Sequence, residues 1–261
     1  YDSIVSTFTI STPTTPGFFG GAAVSTGSIN WSWNDNSDDE NGFRVKDTTG
    51  NVIVVLSSNT TSYLKSGLSS NTSYVYLIEA FNSAGWTVTN SSNIFTLSAK
   101  PTGTYVVAKT SYNVQLAWNR NGNSSGTRWG IERSTTNNFA LSQALKVSTH
   151  NYTGTGYLDE GLVADATYYY RVLSYNGVGY ASAWDSAVST FTLSLPVASD
   201  GLAGSALDGY SISWTWNDNA FNEDGYRLKK LGGAVVTSLP IGATYYIETG
   251  LDLNNTYIRY V

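Results

Sequence analysis

The sequence matches itself at one long offset, and that repeat limits what the chain can fold into more than any other feature. Shifted by about 183 residues, positions 1–78 align with 184–261 without a gap, and about 31 of the 78 pairs are identical. DSIVSTFTIS at 2–11 falls on DSAVSTFTLS at 185–194, INWSWNDN at 29–36 on ISWTWNDN at 212–219, and ENGFRVK at 40–46 on EDGYRLK at 223–229. A period this long is no solenoid unit. Pro13, Pro101 and Pro196 each follow a short FT-containing run and cut the chain into segments of the size of one β-sandwich. The predicted organisation is residues 1–12 as the last strand of a preceding domain, 13–98 as a first type of domain, 99–195 as a second type, and 196–261 as a truncated copy of the first.

The local pattern is β throughout. Ile29, Trp31 and Trp33 alternate with Asn30, Ser32 and Asn34, and Val114, Leu116 and Trp118 with Gln115 and Ala117. Ile212, Trp214 and Trp216 repeat the first set. Period two with polar partners marks a strand buried on one face. Clusters of Gly, Asn, Asp and Ser recur every 8 to 12 residues, as an all-β sandwich requires. No window carries helical apolar spacing.

These residues resemble fibronectin type III domains, which implies seven-stranded Greek-key sandwiches of immunoglobulin-like fold in tandem. On that resemblance Trp33, Trp118 and Trp216 are the core tryptophans that end the second strand. Phe43, Trp129 and Tyr226 open the third strand. The Gly-Leu and later Tyr of a tyrosine corner fall on Leu68 with Tyr74, Leu162 with Tyr168 and Leu251 with Tyr257. Trp31 and Trp214 depart from the family, which has an aliphatic residue there, and are expected to fill a gap in the core. The form is that of very large, repetitive surface or secreted proteins of bacteria or archaea.

Composition narrows the function. Of 261 residues only 13% are charged, the net charge is −5, and Cys and Met are absent. No basic patch is available to hold nucleic acid. No thiolate can bind a metal or act as a nucleophile. The longest aliphatic run, VIVVL at 52–56, is far too short to cross a membrane. A weakly charged, hydroxyl-rich surface suits an extracellular or cell-surface location.

Candidate chemistry is thin. His150 is the only histidine and has no spacing partner for zinc or base catalysis. Asp35, Asp38 and Asp39 could offer hard oxygens to calcium. The copy at 218–223 keeps Asp218 and Glu223 but has Phe221 where Asp38 stands, which favours a solvated turn. No nucleophile elbow or phosphate loop is present, and nothing calls for a cofactor. Asn59, Asn90, Asn123 and Asn151 stand in sequons and are candidate glycosylation sites in a secreted protein. Trp86 and Trp184 fall near the connection of the sixth and seventh strands, where packing against a neighbouring domain is favoured over stacking on a sugar.

The predicted function is therefore non-catalytic: a stalk, spacer or fibre segment, with other copies or further repeats as partners and filament assembly as one outcome. The alternatives are an adhesive or carbohydrate-binding module, which would bind glycans or another cell surface, and an accessory spacer of a secreted polysaccharide-degrading enzyme. The repeat offset also leads to the expectation that the chain is a window on a longer array. Strand donation between copies is the rival account.

Overall fold

Three β-sandwiches follow one another, each built as the alternation requires. The structure is a computed structural model that describes residues 6, 7, 9–91, 93–139, 144–146 and 151–261, with residues 144–146 described by backbone alone. The first sandwich comprises β1 (Gly17–Ser25), β2 (Ser28–Asn34), β3 (Gly42–Asp47), β4 (Val52–Ser57), β5 (Ser62–Lys65), β6 (Ser73–Tyr74), β7 (Tyr76–Asn82), β8 (Gly85–Asn90) and β9 (Ile94–Phe95). The second comprises β10 (Thr102–Lys109), β11 (Val114–Asn119), β12 (Arg128–Ser134), β13 (Ala144–Lys146), β14 (Gly156–Asp159), β15 (Thr167–Tyr175) and β16 (Val188–Phe191). The third comprises β17 (Asp200–Ala206), β18 (Ser211–Asn217), β19 (Tyr226–Lys230), β20 (Val235–Leu239), β21 (Tyr245–Thr249) and β22 (Arg259–Tyr260). Among the described residues none is helical. Those described in 6–12 lie in no strand.

Every sandwich has two facing sheets in one strand order, to which the first adds a two-stranded β6-β9 sheet and of which the third keeps three strands in the second sheet. One is β1-β2-β5, then β10-β11-β14, then β17-β18-β21. The other is β4-β3-β7-β8, then β13-β12-β15-β16, then β20-β19-β22. All the pairings are antiparallel. Two compact units result: Tyr1–Lys109, Asn113–Gly161 and Thr167–Phe191 form one, and Thr110–Tyr112, Leu162–Ala166 and Thr192–Val261 form the other.

The cores repeat one aromatic contact. Trp33 on β2 meets Phe43 on β3 at 5.5 Å between ring centroids. Trp118 meets Trp129 edge-on at 5.9 Å, and Trp216 meets Tyr226 at 5.8 Å. Each contact spans the two sheets and adds roughly 0.5–1.5 kcal/mol beyond area burial. Trp33, Trp118, Trp216 and Tyr168 are buried, while Tyr74 and Tyr257 are half-buried. The hydroxyls of those last two accept from the backbone N–H of Ser69 (2.9 Å) and Asp252 (2.7 Å), tying down the corner five residues upstream.

The first strand of each sandwich opens with a bulge. The register shifts between Gly17 and Gly20, between Thr102 and Tyr105, and between Asp200 and Ala203. The residue just inside each bulge is left-handed: Phe18 at φ 47°, Gly103 at 61° and Gly201 at 63°. Glycine fits there without cost, whereas Phe18 does not.

Candidate functional site

The acidic turn between the second and third strands is wired for structure, in the same way in both copies. Asp35 Oδ1 accepts from Ser37 N at 3.1 Å, and its repeat partner Asp218 Oδ1 accepts from Ala220 N at 3.1 Å. Asn36 Nδ2 donates to Thr15 O and Asn219 Nδ2 to Ala198 O. Glu40, which is buried, accepts from Asn59 N at 3.0 Å, and Glu223 accepts from Gly242 N at 3.3 Å. Asp39 Oδ1 takes the Ser37 hydroxyl at 2.7 Å, and Asp38 is exposed. Among the described residues, no three His, Cys, Asp or Glu side chains converge as a metal site would need. Asp35, Asp38 and Asp39 lie in one turn without forming a cage. His150 lies outside the described residues.

Four of the buried carboxylates close on cations. Glu79 binds Arg44 at 2.6 Å and also Lys46. Glu132 takes Nε and Nη2 of Arg171. Asp159 takes Arg133 and the hydroxyl of Tyr170, and burial and that bond push the tyrosine's pKa far up. Glu248 holds Arg259 at 2.5 Å and accepts from the Trp214 indole N–H at 3.0 Å. A carboxylate held this way is a structural counter-charge, since an ion pair in the interior must be fully hydrogen-bonded to persist.

Two expectations need correction. Asn123 is only 6% exposed, and its Nδ2 donates to Ala99 O (2.6 Å) and Arg120 O (2.7 Å), which leaves no room for a glycan. Its amide serves a turn, which a sequon cannot reveal. Asn59, Asn90 and Asn151 are exposed, although Ser92 of the Asn90 sequon lies outside the described residues. Trp86 stays open to solvent instead of packing between sandwiches. Trp86 on β8 is 57% exposed and faces Phe81, with Lys46 Nζ 5.5 Å above its ring. Trp184 lies against Arg171, which is also stacked on Phe139. Both rings lie beside strand cations.

What joins the first two sandwiches is polar. Asn71, held left-handed at φ 46°, donates through Nδ2 to Thr127 Oγ1 at 2.7 Å. Ser124 Oγ donates to Asn71 O, Asn176 Nδ2 to Thr96 O, and Ser174 Oγ to Ala99 O at 2.7 Å. Asn123 adds a two-way amide pair with Ala99. Asn71, Thr96, Asn123, Thr127, Ser174 and Asn176 are all buried. Gly177 lies so close to Phe95 that a Cβ would come within 2.2 Å of its ring. Most of these buried polar groups find a partner across or beside the joint, with Asn71 Oδ1 and Ser98 Oγ left without one, so opening it breaks several buried hydrogen bonds. Nothing in the sequence pairs Asn71 with Thr127, or Thr96 with Asn176.

The strand order of the two sheets decides the fold. The sandwiches are fibronectin type III in architecture. No family model matches the chain. It is 26% identical to Exoglucanase B of Cellulomonas fimi over 98% of its own length, and 27% identical to Chitinase A1 of Niallia circulans over 69%. It spans 24% and 26% of those two proteins. Among solved structures it is similar to the FN1-FN3 domains of chicken CNTN1, covering 92% of this chain and 90% of that one at 14% identity with a TM-score of 0.36. It is also similar to a two-domain fibronectin type III segment of chicken tenascin, covering 67% and 97% at 14% identity with a TM-score of 0.45. No helix among the described residues is long and apolar enough to cross a membrane.

Proposed function

We propose that the chain is a non-catalytic spacer or stalk segment of a secreted or cell-surface protein, acting through fixed spacing rather than chemistry. The observation that carries this reading is the buried polar clasp from Asn71 to Asn176, which makes one body of the first two sandwiches. The carboxylates described above are engaged in turns and ion pairs, which fits a scaffold. The relationship to an exoglucanase and a chitinase favours a narrower version, an accessory spacer in a polysaccharide-degrading protein. Other copies or further repeats are its natural partners.

The chain has no cysteine, so spin labels can be placed at will. Labels at exposed Ser58 and Thr153 of the full chain should give one narrow distance distribution. Asn71→Ala with Asn176→Ala should broaden it. A broad distribution in the parent chain would sink the spacer reading. So would release of sugar from cellulose or chitin by this chain alone.

A further inference from the structure

We propose that the outer face of the β4-β3-β7-β8 sheet binds an anionic polysaccharide, with a hexuronate ring stacked on Trp86 and its carboxylate on Lys46 and Arg44. The face is assembled by register. Phe81 on β7 stands opposite Trp86 on β8, and Glu79 on β7 opposite Arg44 on β3. Arg44 lies 3.8 Å over the Phe81 ring, and Lys46 sits 5.5 Å from the Trp86 ring. Both cations bind one carboxylate, Glu79, whose side chain is 1% exposed. One anion cannot neutralise two cations. A net positive charge is thus fixed in position beside an open aromatic ring, on a chain whose overall charge is −5.

The second sandwich shows the closed alternative. There, among the described side chains, Glu132 takes Arg171, and that guanidinium lies 4.3 Å from Phe139 and 4.4 Å from Trp184. Two aromatic rings cover that cation. In the first sandwich the cations are 32% and 21% exposed and keep N–H donors beyond those given to Glu79. A large aromatic left more than half exposed beside unspent donors is the usual build of a recognition surface. A sugar ring offers C–H groups to the indole face, and only an acidic sugar also offers the counter-charge. Neutral glucans would meet the stacking surface but leave the excess charge unanswered.

The test is a titration of the full chain by amide-resolved NMR with tetragalacturonate, cellotetraose and chitotetraose in parallel. Tetragalacturonate should bind with a dissociation constant on the order of 1 mM, shifting the Trp86 indole and the amides of β3, β7 and β8. Trp86→Ala should weaken it about tenfold, and Trp86→Phe should restore most of the loss. Raising salt to roughly 0.5 M should weaken it again, because the charges are only partly buried. Glu79→Gln adds one net positive charge and should tighten binding if the sheet stays folded, while the salt series stands without that variant. The proposal is overturned by absence of binding, by equal binding of either neutral tetraose, or by indifference to Trp86→Ala. The spacer reading requires no ligand and survives each of those results.

Discussion

Trp31 in the first sandwich and Trp214 in the third hold the same place in the repeat, yet their surroundings are built from different chemistry. Trp31 is fully buried and meets Tyr76 at a tilt, with 4.9 Å between ring centroids. In the third sandwich the residue 183 positions after Tyr76 is Arg259 and the residue after Lys65 by the same offset is Glu248. The aromatic pair is replaced by a buried Arg259–Glu248 bridge that also takes the Trp214 indole N–H. The backbone around the two slots is otherwise alike, with β2 and β18 each pairing on both sides. An oversized tryptophan therefore fixes the shape of the slot but not the polarity of what seals it. The apolar solution draws its stability from area. The ionic one depends on both partners being present.

The largest expected effect tests that dependence. Glu248→Ala leaves a buried guanidinium without its partner and should destabilise the third sandwich by roughly 3–5 kcal/mol, read as lost hydrogen-exchange protection in β18 and β21 of the full chain. Glu248→Lys with Arg259→Tyr installs the first sandwich's residues and should recover most of that loss. A small effect of the single change would mean that the bridge does not hold the slot.

Next in size is a site where the two copies should behave identically. Gly42 (φ 156°) and Gly225 (φ 139°) each lie so close to the neighbouring strand that a Cβ would be 2.3 Å from the carbonyl oxygen of Leu56 or Leu239. Alanine at either should cost roughly 2–4 kcal/mol, and unequal losses in urea titrations would break the equivalence of the two copies. Phe18→Gly removes a difference instead: it gives the first sandwich the left-handed glycine of Gly201 and should stabilise it by about 1 kcal/mol in the same titrations.

The smallest effect is the pH dependence that Tyr226 adds to the third sandwich. The Tyr226 hydroxyl donates to Asp218, and that bond raises its pKa from 10.0 to about 12. The neutral form is the one favoured by folding. Its contribution is therefore full below pH 10 and lost as pH rises through about 12. The first sandwich has Phe43 at this position and loses nothing there. Tyr226→Phe should reduce the difference in urea midpoint between pH 9 and pH 11, measured against the parent chain.

The sandwiches themselves were legible because their signals are local and repeated. Alternation around Trp33, Trp118 and Trp216, and the Gly-Leu to Tyr spacing, appear three times in one order. The acidic turn could be judged from Phe221 standing where Asp38 does. The clasp was not legible, because Asn71 meets Thr127 across 56 positions between two unlike sandwiches, so no self-comparison aligns them. Asn123 misled because a sequon describes three residues and not the turn that consumes the amide. Trp86 was misplaced because its fate depended on which strand its neighbours' cations occupied, and a one-residue change of register would have reversed it.

The clasp has a consequence for the conditions under which the two sandwiches stay together. Its members are amides, hydroxyls and backbone carbonyls, and none of the side chains gains or loses a proton in the ordinary range of pH. No ion pair contributes to the bonds from Asn71, Asn123, Ser124, Ser174 and Asn176, so dissolved salt has nothing to screen. With no cysteine in the chain, redox conditions have no thiol to act on either. The spacing between the first two sandwiches is thereby uncoupled from the acidity, salinity and oxidation state of the medium.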